Sequence, residues 1–571
     1  MITPTSSSRT VRFADFPTLT AALDFAATGE TGVNLYSLRG ELVEALPYAK
    51  LREQALGLAE RLLATGARPG ESVGLIADTE ADFVRAFFAC QYAGLVPAPL
   101  PLPAPLGGRE AYVEQIARML VSAHARRLIG PTGMKDWVAE IAAKTPLDFS
   151  GALADLPESA GAALPEILPD NTCYLQFSSG STRFPTGVLV THRALMANAV
   201  AITRDGLQVR PTDRAVSWLP LYHDMGLIGF LLSPMTSQMT VDLLPTGAFV
   251  RRPLLWLDLI TKNGGTISYS PTFGYELCAR RAEVASIEHL DLAKWRSAGL
   301  GGDMIRTGPL RAFAERFASV GFSDKAFVAS YGMAEATLAL SMAPLGGGLK
   351  TERLDVERLE QHEAVLTDDT ERSREFARNG PALPGHELEV RDETGAVLPE
   401  RGVGRIYARG PSLMREYFEQ PQETTRVLSA DGWLDTGDLG YLIDGEIVIT
   451  GRGKDLIILN GRNIWPQDLE WTAEAEVEGL RSGDVAAFSA PDDAGGEERV
   501  IVLVQARGGD ADTRAALVEK ITGVLRLRHQ VETQVQLVGA HALPQTSSGK
   551  LSRSKAKAAY LAGAYAPTER A

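Results

Sequence analysis

The chain reads as an α/β protein. Its larger N-terminal part carries sheets flanked by helices and a β-barrel-like subdomain, and a small α+β domain follows. Three observations predict this. Strand and helix patterns alternate from the start of the chain, the rhythm of largely parallel sheets. A series of short strands with Asp-Gly and Gly-Arg turns fills 388–457. After GRGKD the pattern begins again, over roughly 115 residues, an ordinary domain size. The division expected is 1–452 and 453–571.

Taken in order, 48–66 places Ala49, Leu51, Ala55, Leu58, Ala59, Leu62 and Leu63 at helical spacing. SVGLIAD (72–78) reads as a buried strand, 80–93 as a helix and 128–130 as a strand, before an exposed Pro/Ala/Gly-rich connection near 151–170. The stretch 174–192, YLQFSSGSTRFPTGVLVTH, is an apolar strand, a Ser/Thr/Gly loop and a second apolar strand. Helix 193–204 leads into the apolar segment 216–232. Segments 266–281, 296–305 and 327–338 each run from a strand into a Gly-containing turn. Residues 350–379 change character, with many charges and poor periodicity, and read as a solvated surface insertion. A hairpin over 388–399 and a strand at 404–410 follow. The C-terminal part reads as helix 466–478, strands 484–490 and 499–506, helix 511–528 and strand 534–538.

Length and composition narrow the function. The chain has 571 residues, room for two to four domains at about 150 residues each. Acidic residues (71) exceed basic ones (57), which argues against nucleic acid as a partner, since that binding rests on a basic face. Cys90, Cys173 and Cys278 are far apart, without metal-ligand spacing, and read as buried free thiols of a reducing compartment. No apolar signal stretch opens the sequence. The apolar run Phe83 to Leu106 contains Pro97, Pro99, Pro101, Pro103 and Pro105 and cannot span a membrane as a helix. A cytoplasmic location without stable membrane insertion is expected.

Chemistry concentrates in a few motifs. The loop at 178–187 offers hydroxyls and closely approachable backbone N–H groups, which a polyphosphate needs; an ordinary hairpin turn is the alternative. It is not a P-loop, because the G-x-x-x-x-G-K-[ST] order is absent. His223 within 216–232 reads as a hydrogen-bonded core histidine more readily than as a zinc ligand. Tyr269, Phe273 and Tyr275 read as core aromatics, with an apolar substrate channel as the alternative. In RSAGLGGDMI and FVASYGMAEATL an acid (Asp303, Glu335) stands near a glycine turn; a tyrosine there can stack on a planar ring, and a carboxylate can hold Mg²⁺. Asp438 suits ribose hydroxyls or a plain Asx turn. Lys550, on SSGK, suits a phosphate or carboxylate, or is one more solvated lysine.

Seven motifs stand in one order along nearly the whole chain: the loop at 178–187, YHDMG (222–226), GGD (301–303), YGMAE (331–335), DTGD (435–438), GRGKD (451–455) and SSGK (547–550). In this the chain resembles the adenylate-forming enzymes: acyl-CoA synthetases, luciferases and peptide-synthetase adenylation domains. It looks most like the fatty acyl-AMP ligases, which pass the acyl group to a carrier protein instead of coenzyme A. Departures from the common synthetase pattern carry that narrower likeness: Arg183 and Thr186 where Gly and Lys are usual, and Ala334 before the acid. Gly461, Arg462, Asn463, Pro466, Asp468 and Glu470 form GRN-x-x-P-x-D-x-E, and the charged segment lies just ahead of Gly380, Leu383, Pro384 and Gly385.

The resemblance implies activation of a medium- or long-chain fatty acid with ATP and Mg²⁺. Pyrophosphate is released, and the acyl group passes to the phosphopantetheine thiol of an acyl carrier protein, or of a polyketide or peptide synthase carrier domain. By the same resemblance Lys550 bridges carboxylate and α-phosphate, and Glu335 holds Mg²⁺. Ser178, Ser179, Gly180, Ser181, Thr182 and Gly187 form the phosphate loop. Gly301, Gly302, Asp303, Tyr331, Gly332 and Met333 surround adenine, and Asp438 and Arg452 hold ribose. His223 stands where acyl tunnel meets phosphate, with Trp218, Met225, Gly226, Phe273 and Gly274 lining the tunnel. Lys454 is the hinge about which a mobile C-terminal domain turns, and 350–379 restrains that turn. The rival readings are a ligase of a fatty or other carboxylic acid with coenzyme A, or of an aryl or short-chain acid, and a non-catalytic binding protein on the same fold.

Overall fold

The computed structural model describes residues 1–2, 11–103, 108–159, 161–178, 186–370, 372–459, 462–491, 498–508, 510–545 and 551–565. Two compact units emerge: Met1–Lys350 with Asn379–Leu388 and Ala408–Leu434, and Thr351–Arg378 with Glu389–Tyr407 and Asp435–Ala571. The second unit therefore draws together the charged segment, part of the strand series and the C-terminal residues.

In the first unit the largest sheet has eight strands. Their order is Ala339–Met342, Phe327–Gly332, Ser297–Leu300, Ile267–Ser270, Arg214–Ser217, Thr240–Leu243, Gly32–Tyr36 and Leu42–Pro47. All neighbours between Phe327–Gly332 and Gly32–Tyr36 run parallel, and only the two outermost strands are antiparallel. Strands such as TVDL and SAGL are buried along their whole length, as parallel strands covered on both faces must be. The pair Gly32–Tyr36 and Leu42–Pro47 was not visible in the sequence pattern, which is too short and mixed there to separate from a loop.

A second sheet is wholly parallel, in the order Val96–Leu100, Ser72–Ile76, Arg127–Ile129, Phe149–Gly151. Pro97 and Pro99 fall in its edge strand, where a missing N–H does not break the ladder. The helices read at 48–66 and 80–93 are Tyr48–Ala64 and Ala81–Tyr92. Tyr275 lies in the core against Trp256, Trp295, Phe313 and Phe327, so the core reading holds for it. The three cysteines are buried free thiols.

The strand series forms an open six-stranded sheet ordered Thr351–Asp355, Ser373–Pro381, Glu446–Arg452, Leu434–Ile443, Gly404–Arg409, Glu387–Arg391. The charged segment thus supplies two strands and is not simply a solvated insertion. Its periodicity is poor because charges are buried by pairing. Glu352 accepts hydrogen bonds from Tyr441 (2.6 Å), Arg378 (2.7 Å) and Arg401 (2.9 Å). In the C-terminal part, Val485–Pro491, Glu498–Gln505 and Thr533–Val538 make a three-stranded sheet. Val485, Ala487, Val500, Val502 and Val504 face Leu469, Ala473, Ile521 and Leu525 of two helices. The alternate residues Ala486, Phe488, Ile501 and Leu503 pack with Ala556 and Tyr560. Period-two alternation thus serves both faces. Among the described residues no helix is long and apolar enough to cross a membrane.

Candidate active site

Four neighbouring parallel strands of the large sheet organise the candidate residues. At or immediately beyond their carboxyl ends lie Tyr331 to Glu335, Gly301 to Asp303, Phe273 and Gly274, and Trp218 to Gly226. Ligands of open α/β sheets bind beyond the carboxyl ends of the strands, because loops diverge there and leave a crevice.

The aromatic end of this row is tightly packed. Trp218 is only 2% exposed and stacks on Phe249 with centroids 3.8 Å apart, while Phe273 meets it edge-on at 5.7 Å. A Cβ on Gly274 would lie 2.1 Å from Ser270 Oγ and 2.9 Å from Trp218 Cζ2, so glycine lets the helix Thr272–Ala282 begin against the indole. Gly226 answers to backbone packing, since a Cβ there would sit 2.1 Å from the Pro220 carbonyl oxygen. Met225 is buried beside it. His223 Nδ1 lies 2.6 Å from Asp224 Oδ1, and both side chains keep partial exposure. A histidine so placed has its tautomer set by the neighbouring acid.

At the other end, Gly302 takes φ 77° and Asp303 Oδ1 accepts from the Met304 N–H at 2.8 Å. Tyr331 is buried at the end of its strand. Gly332 has no room for a side chain, since its Cβ would lie 1.8 Å from the Leu338 carbonyl oxygen. The turn Ala334–Ala336 then buries Glu335 to 8% exposure. Its Oε1 accepts from the Tyr417 hydroxyl at 2.8 Å, and its carbonyl accepts from the Met414 N–H at 2.7 Å.

Strands Thr172–Ser178 and Thr186–Thr191 pair antiparallel around the Ser/Thr/Gly loop, with Gly187 opposite Phe177. A third strand, Glu416–Tyr417, pairs with the return strand. Ser179, Gly180, Ser181, Thr182 and Lys550 lie outside the described residues, as does the side chain of Ser178. Sequence reasoning missed Tyr417, Ser412 and His386. Their only signal was polar residues in RGPSLMREYF and LPGH, beside apolar ones that packing alone explains.

In the second unit, Asp438 and Arg452 are register partners on antiparallel strands, and Arg452 Nε lies 3.2 Å from Asp438 Oδ1. Asp438 stands within Leu434–Ile443, just after the left-handed Gly437 (φ 73°). Lys454 lies in the short turn Gly453–Asp455. The charged segment is bonded to the C-terminal part. Glu360 takes two hydrogen bonds from Arg462, at 2.9 and 3.1 Å, and Asn463 Nδ2 donates to the Glu360 carbonyl at 3.0 Å. Arg374 lies 2.8 Å from Asp468 in a buried pair, and burial pushes the Asp468 carboxyl up to about 6 despite the guanidinium.

Among the described residues no group of three or more His, Cys, Asp and Glu gathers at metal-ligand distances. Glu335 nonetheless fits Mg²⁺: it is a hard oxygen donor, held in direction, and Mg²⁺ commonly takes one or two carboxylates and completes its shell with phosphates and water.

An AMP-binding enzyme family model matches residues 33–418, and the chain belongs to that family. A Caulobacter vibrioides protein, named provisionally as an acyl-CoA synthetase, is 74% identical, over 99% of each chain. The long-chain-fatty-acid–AMP ligase FadD32 of Mycolicibacterium smegmatis is 33% identical, covering 91% of this chain and 89% of its own. The medium-chain-fatty-acid–[acyl-carrier-protein] ligase JamA of Moorena producens is 31% identical, over 96% of each. A structure from work on fatty acyl-adenylate ligases of E. coli and L. pneumophila superposes with a TM-score of 0.91 at 43% identity, covering 97% of this chain and 100% of that one. This is an adenylate-forming ligase whose likeness points to the fatty acyl-AMP ligases.

Proposed function

We propose that the protein activates a medium- or long-chain fatty acid with ATP as the acyl adenylate. It then delivers the acyl group to the phosphopantetheine thiol of an acyl carrier protein, or of a carrier domain of a polyketide or peptide synthase. One observation carries the first half: the row beyond four parallel strands joins an aromatic, apolar end at Trp218 and Phe273 to a carboxylate end at Glu335. A fatty tail and a polyphosphate need those two environments in one crevice.

A carboxylate is a poor electrophile, because its charge is delocalised and hydroxide leaves badly. Attack of its oxygen on the α-phosphorus, with pyrophosphate leaving in line, gives it a good leaving group. Two anions meet, so the site's work is positioning and electrostatic stabilisation. Trp218, Met225, Phe273, Gly226 and Gly274 shape the acyl end, and His223, oriented by Asp224, directs the carboxylate. Tyr331 with Gly301, Gly302, Asp303, Gly332 and Met333 takes adenine. Asp438 and Arg452 take ribose, Ser178 to Thr182 and Gly187 take the phosphates, and Lys550 bridges the two anions. Mg²⁺ on Glu335 supplies charge neutralisation at the phosphates.

The carrier protein as acceptor is supported by the name of JamA, by the hydrogen bonds that Arg462 and Asn463 donate to Glu360, and by the Arg374–Asp468 ion pair. These fasten the charged segment to 453–571, where Lys454 is the proposed hinge. A second reading, a fatty acid–coenzyme A ligase, is favoured by the name of the Caulobacter relative. Incubation with ATP, Mg²⁺ and fatty acids of graded length, with coenzyme A or holo carrier protein added, separates them. The proposal requires acyl adenylate without an acceptor and acyl transfer to the carrier; a product formed only with coenzyme A overturns it.

A further inference from the structure

We propose that Tyr417 is a positioning residue for the adenylation step, and that Ser412 to Phe418 form a strap holding Glu335 in register with the return strand of the phosphate loop. The inference rests on the function proposed above and adds a residue to it.

The strap grips the Glu335 turn from several sides. Thr337 Oγ1 donates to the Ser412 carbonyl at 2.7 Å, and Ser412 Oγ donates to the Ala336 carbonyl at 3.1 Å. The same hydroxyl lies 2.6 Å from His386 Nε2, and His386 Nδ1 lies 3.3 Å from the Pro384 carbonyl oxygen. Two residues further, the Met414 N–H bonds the Glu335 carbonyl, and the Tyr417 hydroxyl bonds Glu335 Oε1 at 2.8 Å.

The same few residues grip the return strand Thr186–Thr191. The Arg415 N–H donates to the Leu189 carbonyl at 3.0 Å and the Phe418 N–H to the Gly187 carbonyl at 2.8 Å, with Tyr417 opposite Val188. Tyr417 therefore touches both systems, its backbone in a ladder with the loop's return strand and its side chain on the carboxylate. Thr337 adds an independent sign that the turn is held under constraint. Its φ of 68° with ψ of −63° is a conformation that a β-branched residue rarely adopts and that needs surrounding bonds to persist. A hydroxyl donor fixes the direction of a carboxylate by a bond that carries no countercharge, which suits a group that must meet a cation.

Tyr417→Phe removes one oxygen and keeps the ring, and a thermal melt verifies the fold. ATP binding is measured by calorimetry with Mg²⁺ and again in EDTA. The Mg²⁺ concentration giving half-maximal pyrophosphate release is measured alongside. We expect ATP binding in Mg²⁺ to weaken about tenfold, as losses of a ligand's orienting partner commonly do, and the Mg²⁺ requirement to rise similarly. Binding in EDTA and the fatty acid KM should stay as in wild type. An unchanged Mg²⁺ dependence, or an equal loss with and without Mg²⁺, overturns the inference. The binding arm needs no acyl substrate, so it remains decisive if wild type forms no adenylate, an outcome that would instead overturn the function proposed above.

Discussion

Two buried acids, one in each unit, are held by different partners. In the first, Glu335 receives a neutral hydroxyl from Tyr417 and a backbone amide on its own carbonyl. In the second, Asp468 faces the Arg374 guanidinium, and Glu470 receives two bonds from Arg553, at 2.6 and 2.7 Å. A guanidinium both orients and neutralises, whereas a hydroxyl only orients. The first arrangement suits an acid that must meet substrate-bound charge, the second an acid that fastens one segment to another.

The largest expected effect is at Glu335. Glu335→Gln keeps the shape and removes the charge, and fatty-acid-dependent pyrophosphate release should fall by about 100-fold or more, the scale of losing a key electrostatic group. Its melting temperature should move little; a large drop would place Glu335 among the fastening acids. Next is Arg374→Met, which leaves Asp468 buried without its guanidinium and should cost about 1.4 kcal/mol at about pH 7 and about twice that a pH unit higher, since the wild-type acid ionises only above about 6. Burial already raises the Asp468 carboxyl from 3.8 to about 6. In the variant the acid stays protonated to still higher pH, so the cost is small near pH 4 and grows as pH rises. Urea unfolding across pH 4 to 8 checks this, and a pH-independent cost would contradict it.

An effect confined to acid pH concerns a neutral partnership in the first unit. His192 Nδ1 accepts from the Leu19 N–H at 3.1 Å, and burial lowers this histidine from 6.5 to about 4. A base with a depressed folded value contributes stability that is complete above about 6.5 and lost as pH falls toward 4. The loss amounts to about 3 kcal/mol at most. His192→Gln, which keeps an acceptor but does not titrate, should flatten that part of the pH–stability profile. A wild-type profile that is already flat there would contradict the assignment.

Much of this was legible in the sequence because it depends on local pattern. The alternation that gave helices at 48–66 and 80–93 reflects which side chains face a core, and the spacing of YGMAE and GGD reflects turns that glycine makes possible. Pairings between distant segments were not legible. Arg374 looked like one charge among many in 350–379, because nothing in its neighbours reveals that it meets Asp468. Tyr417 is equally silent: its partner is 82 residues away, and tyrosine beside phenylalanine reads as packing. The prolines of 96–100 excluded a membrane helix correctly, yet they hid an edge strand, the one sheet position where proline does little harm.

The central claim is that a fatty carboxylate and ATP react in the row ending at Glu335. Its most direct test is fatty-acid-dependent exchange of labelled pyrophosphate into ATP, without coenzyme A or carrier protein, in wild type and Glu335→Gln. The account predicts exchange that requires the fatty acid, grows with chain length into the medium or long range, and is nearly abolished in the variant. Exchange that ignores the fatty acid, or that the variant sustains at the wild-type rate, would contradict it.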